Sequence, residues 1–119
     1  MQIEYKIRTV GCSFAMDIMP NSLISGEVEL IGAWLYDDVQ NDGKKFLPEI
    51  DKVLAGEIEV YDCSSPMANS AMIYKEKSII TCNFEECNDE PCTLPTTMLR
   101  EIVEIWIKEC EKFSKTKKR

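Results

Sequence analysis

The chain has 119 residues, 45% of them hydrophobic, with 21 acidic and 14 basic side chains, no histidine and a net charge of −7. That length makes a single domain, residues 1 to 119, able to bury about two-thirds of its unfolded surface without disulfide or metal staples. The missing histidine excludes Ser-His and Cys-His nucleophiles and the commonest general base; carboxylate-pair hydrolysis stays open in principle, but among 21 acids no pair stands out, and no catalytic residue and no cofactor is expected. No stretch approaches the ~20 apolar residues of a membrane span, and the start MQIEYKIRTVGC lacks the basic and apolar regions of a signal peptide. A cytoplasmic protein with reduced thiols is the expectation.

In QIEYKIRTV, Ile3, Tyr5 and Ile7 alternate with charged residues, and after Gly11 the run CSFAMDIM offers Phe14, Met16 and Ile18 on one face. Residues 2 to 9 and 12 to 18 therefore predict an antiparallel hairpin. Segment 27 to 39 is ambiguous between helix and strand, with helix favoured by the spacing of Val28, Ile31, Trp34, Leu35 and Val39. Asn41, Asp42 and Gly43 read as a turn. Phe46, Leu47, Ile50, Val53 and Leu54 then recur at helical spacing until Gly56, a helix over 45 to 55 with Pro48 in its first turn.

Beyond it, EIEVYDC alternates as a strand, and SAMIYKEKSIITCNF reads as two strands, about 70 to 75 and 78 to 84. Leu99, Ile102, Val103, Trp106, Cys110 and Phe113 mark one face of a long final helix that Thr96 or Thr97 can cap. The order ββααβββα predicts an α+β fold, an antiparallel sheet of about five strands with helices packed on it. Residues 112 to 119 form a basic tail expected to fray.

The stretch CNFEECNDEPC places Cys82, Cys87 and Cys92 at intervals of five. Zinc sites bring C-x2-C or C-x4-C pairs together with a second pair or histidines elsewhere; here there are three thiols at x4 spacing, no C-x2-C, no histidine, and the other cysteines are scattered singly. No metal site is expected: Cys82 belongs on a strand, Cys110 on the core stripe of the last helix, and Cys87 and Cys92 in a loop. The competing reading is a thiol or metal-binding protein built on Cys82, Cys87 and Cys92.

Charge is unevenly distributed. Residues 27 to 62 hold ten acids and three lysines, a net of −7; residues 85 to 111 hold eight acids and two bases, a net of −6. An acidic surface raises the association rate with a basic partner and disfavours direct nucleic-acid binding.

Residues Glu29 to Glu59, ELIGAWLYDDVQNDGKKFLPEIDKVLAGEIE, and the later CTLPTTMLREIVEIWIKECEKF carry a further signal. A G-x-W-L-x-D-D segment leading into IDKVLAGE, two strands, and a Leu-Pro entry into a Trp-bearing helix resemble the small bacterial immunity proteins of contact-dependent growth inhibition and related polymorphic toxin systems. The similarity spans about residues 3 to 113. It implies a non-enzymatic cytoplasmic inhibitor that binds the C-terminal domain of a cognate toxin, commonly a basic nuclease, and occludes its active site or substrate surface. The contact residues expected on charge and exposure are Tyr36, Asp37, Asp38 and Asp42, then Glu57, Glu59, Tyr61 and Asp62, with Glu85, Glu86, Asp89 and Glu90 as a second patch. Trp34 is expected in the core. An acidic adaptor for some other basic protein is the remaining alternative, and a free sheet edge or spare apolar residues such as Ile105 and Ile107 offer a route to a homodimer.

Overall fold

The computed structural model describes residues 3–63, 69–83 and 90–117, with side chains described as far as Ser114. The chain is α+β. A hairpin of β1 (Tyr5–Val10) and β2 (Ser13–Ile18) leads to α1 (Glu29–Trp34). A π-helical turn (Leu35–Val39) and a 3-10 turn (Gln40–Asp42) follow, then α2 (Gly43–Leu54). Four strands come next, β3 (Val60–Asp62), β4 (Asn69–Tyr74), β5 (Lys77–Cys82) and β6 (Cys92–Pro95), and α3 (Thr96–Lys117) closes the chain.

The expected single sheet of about five strands is replaced by two antiparallel sheets, the hairpin alone and a four-stranded meander in the order β3-β4-β5-β6. The element order gains a strand, becoming ββααββββα. The hairpin stays separate because α1 lies against the edge of β2 that a further strand would need. An added Cβ at Gly32 would stand 2.6 Å from the Met16 carbonyl oxygen, so glycine permits this approach. The extra strand contains Cys92, which was expected in a loop and is instead fully buried opposite Ile80. Pro95 is tolerated because β6 is an edge strand.

Alternation puts Ala71 and Ile73 of β4, Ser78 and Ile80 of β5, and Cys92 and Leu94 of β6 on the inner face. Helix α1 lies over β4 and β5, α2 over β3 and β4, and α3 over β5 and β6. Trp34, Ile50, Val53, Leu99, Ile102 and Val103 are fully enclosed between these layers, and truncating one such aliphatic side chain to alanine costs about 2–5 kcal/mol. Ile105 and Ile107, expected to be spare, pack at the edge of this core.

Helix α2 starts earlier than its apolar spacing implied, so Pro48 falls in the second turn rather than the first. Thr96 does more than begin α3: its hydroxyl donates to the Tyr74 carbonyl and accepts from Ser78 at 2.8 Å, tying the helix to the sheet. The final helix continues to Lys117, through much of the basic segment expected to fray. Arg100 reaches from α3 to Asp51 of α2 and pairs with Glu104 on its own helix, fastening the two helices at their exposed edge. No helix among the described residues is long and apolar enough to cross a membrane.

Candidate functional site

The connection between α1 and α2 is made of two irregular helical turns. A π-helical turn inserts one residue into the helical repeat and is found frequently at functional positions. Here it presents Tyr36 and Asp37 outward while Leu35 and Val39 are fully buried. The next residue, Gln40, has φ 50° and ψ −128° and is the only non-glycine residue at positive φ among those described. An L side chain there is strained by about 1–3 kcal/mol.

Beyond its own N–H bond to the Leu35 carbonyl, three contacts hold Gln40 in place. Trp106 Nε1 donates to its carbonyl at 2.7 Å, the Cys110 thiol lies 3.9 Å from the same oxygen, and Gln40 Nε2 donates to the Asp37 carbonyl at 3.0 Å. Gly43 makes the first of these reachable. A Cβ on it would lie 2.6 Å from Ile107 Cγ1, so its absence lets α3 press against the start of α2. The turn expected over residues 41 to 43 is thus a 3-10 turn running into a helix, and its left-handed residue is Gln40, not the glycine.

Polar groups near this connection are incompletely matched. Among the described residues, two buried side-chain atoms lack a hydrogen-bond partner, Trp34 Nε1 and Asp38 Oδ1, both on the same stretch of helix. Such groups are few in native proteins, and each calls for a physical explanation. The other Asp38 oxygen accepts from Asn69 Nδ2 at 2.9 Å. Asp37 has its carboxyl raised above the usual range, first by partial desolvation and then by the neighbouring Asp38 charge, with Asn69 offsetting part of the rise.

Three hollows surround the connection. One of about 390 Å³ lies between Gln40, Asn41 and Lys44 on one side and Ile107, Cys110 and Ser114 on the other. A second, of about 260 Å³, is walled by Phe14, Tyr36 and Trp106. The third, about 290 Å³, separates the hairpin from α1 and ends at Tyr36 and Asp37. Tyr36, 36% exposed, forms the ridge between the second and third.

Of the expected contact residues, Tyr36, Asp37, Asp38 and Asp42 therefore fall on one short ridge. Asp42 is exposed and 3.7 Å from Lys45, while Asp38 is half-buried. Glu57 and Glu59 are exposed but lie beyond the far end of α2, about 18 Å away at 1.5 Å per residue. Tyr61, expected to be an exposed aromatic, is a correction. It is paired across the sheet with the buried Ile73, and its ring meets Phe46 edge-on at 6.2 Å. Burial, and next the nearby Cys63, push its phenol pKa up. Asp62 is exposed opposite Met72 on the other face of the sheet. Glu90 is exposed, whereas Glu85, Glu86 and Asp89 lie outside the described residues.

The sequence missed Gln40, Phe14 and Trp106 as site residues. Phe14 and Trp106 read as core because their spacing is that of a core face, and no residue type announces a strained glutamine.

The thiols are dispersed. Cys12, Cys63, Cys92 and Cys110 are free, and burial pushes Cys63 up to about 12 and Cys92 and Cys110 to about 11. Cys82 ends β5 as expected but is disulfide-bonded, contrary to the expectation of reduced thiols; Cys87 lies outside the described residues. Among the described residues no group of three or more acidic or cysteine side chains is placed to hold a metal ion. No protein-family model matches the chain, and no curated protein or solved structure matches it.

Proposed function

We propose that the chain is a non-enzymatic immunity protein that binds a basic toxin domain, a nuclease, and occludes its active site or substrate surface. The observation carrying this reading is the ridge Tyr36 to Asp42. It gathers an exposed aromatic and three carboxylates on a strained, π-distorted connection bordered by hollows. Protein interfaces concentrate affinity in a few aromatic or charged anchors beside pockets, with a charged rim that sets the association rate. A carboxylate-rich ridge matches the cationic surface with which a nuclease holds phosphates.

The test is binding to the protein domain encoded immediately upstream. Mixing should give a one-to-one complex whose association rate falls as salt rises, and Asp37→Asn with Asp42→Asn should slow association further. Failure to associate, or association indifferent to salt, overturns the reading.

A further inference from the structure

We infer that the cleft between the hairpin and α1 is a socket for one basic side chain, lysine or arginine, of a protein partner. The inference deepens the inhibitor reading, since the side chain is taken to be the toxin's.

The cleft exists because its floor is made of small residues. Gly32 cannot carry a Cβ without meeting the Met16 carbonyl, and Ala15 and Ala33 flank it, leaving about 290 Å³ between strand and helix. That floor, with Val10, offers an apolar track suited to the methylenes of a long side chain, which lysine and arginine lay along such surfaces while the charged head stays at a polar rim.

The rim is acidic. Asp17, Glu29 and Asp37 border the cleft against a single cation, Arg8. Arg8 Nε donates to Asp17 Oδ2 at 2.7 Å, and its second bond to the same carboxylate is 3.2 Å. Asp17 is thereby neutralised from within the chain, while Glu29 and Asp37 form no ion pair among the described residues and leave the cleft short of positive charge. Tyr36 closes the end beside Asp37, placing an exposed ring where a cation can lie against its face. An acidic or purely apolar side chain would leave these carboxylates repelled or stripped of water, so charge complementarity selects a cation.

The test uses N-acetyl-arginine methylamide as probe and the uncharged N-acetyl-norleucine methylamide as control, titrated into the full-length 15N-labelled protein. The arginine probe should shift the amides of Gly32, Ala33, Tyr36 and Asp37, saturating in roughly the millimolar range, and the control should not. Ala33→Leu, which fills the cleft, should weaken binding by about tenfold or more, and Asp37→Asn, which removes an exposed rim charge, by about two- to fivefold. The amide spectrum of each variant verifies that it is folded. Shifts spread over Asp42, Glu57 and Glu59 and unchanged by Ala33→Leu would overturn the socket, as would equal binding of norleucine or no shift at all. The two proposals fail separately. A salt-sensitive complex with the upstream domain whose affinity is untouched by Ala33→Leu removes the socket and keeps the inhibitor. Saturable arginine binding without any such complex does the reverse.

Discussion

Replacing Gln40 by glycine should make the protein more stable, an unusual expectation for a residue with three contacts. Two of those contacts end on the backbone carbonyl, from Trp106 Nε1 and the Cys110 thiol, and survive any side-chain change. Only the exposed bond from Nε2 to the Asp37 carbonyl is lost, worth about 0.5 kcal/mol at the low end of the net range for hydrogen bonds. Glycine adds about 0.5–1 kcal/mol of unfolded-state entropy. Against these stands relief of about 1–3 kcal/mol of strain at φ 50°, ψ −128°. The balance is a stabilisation of about 1 kcal/mol, or a rise in Tm of roughly 3–6 °C for a domain of this size. Gln40→Ala keeps the strain and loses the same bond, so it should destabilise by about 0.5 kcal/mol. Urea unfolding followed by far-ultraviolet circular dichroism measures both variants with unchanged slope. If Gln40→Gly proves less stable than Gln40→Ala, the strain assigned to this backbone is refuted.

The two tryptophans, nearly equal in burial, should respond differently to the same change. Trp34→Phe removes an unpartnered buried donor along with some packing, whereas Trp106→Phe removes the donor to the Gln40 carbonyl. Trp106→Phe should therefore be the more damaging by about 2 kcal/mol in urea unfolding, and equal losses would contradict the hydrogen-bond assignment. Asp37 gives a pH signature. Its folded carboxyl titrates above its unfolded value, so the folded state holds more protons in the window between them and stability falls as pH rises through it. Asp37→Asn should consequently stabilise the free protein at neutral pH, by less than about 1 kcal/mol because the group is largely exposed. The gain should vanish below about pH 4, where the unfolded carboxyl is protonated too; a gain that persists in acid would show that charge is not its source.

Helix α3 was legible because six apolar residues at helical spacing admit one geometry, and the structure buries that face from Leu99 to Trp106, with Cys110 and Phe113 at its margin. The hairpin was legible for the same reason at a period of two. The pairing of sheets was not, since nothing in β2 records that α1 would block its free edge. Strand β6 was hidden by Pro95 at its end and Pro91 just before it, although the alternation of Cys92 and Leu94 over four residues was present. The connection at residues 35 to 42 misled most. Leu35 and Val39 are four apart, which reads as ordinary helix, and Gly43 drew the turn toward itself although its role is to admit Ile107. For the site, the charges of Asp37, Asp38 and Asp42 and the aromatic Tyr36 were readable, but their separation from Glu57 and Glu59 needed the direction of α2.

Gln40 and Asp37 share a property that links folding to the proposed binding. Each sits where a different residue would make the isolated domain more stable, glycine at the first and asparagine at the second. A core position with such a cost would be a defect with no return. On an exposed ridge, Tyr36 and Asp37 stand outward between two hollows, and a carboxylate already crowded by Asp38 gains from a cation that an isolated fold cannot provide. Variants at these two positions should therefore separate stability from binding. Asp37→Asn gains the first and loses the second, and Gln40→Gly, which keeps the backbone and its carbonyl contacts, gains the first and leaves the second unchanged, whereas truncation of core residues such as Ile50 or Val53 should lower stability and leave the affinity of the remaining folded protein unchanged.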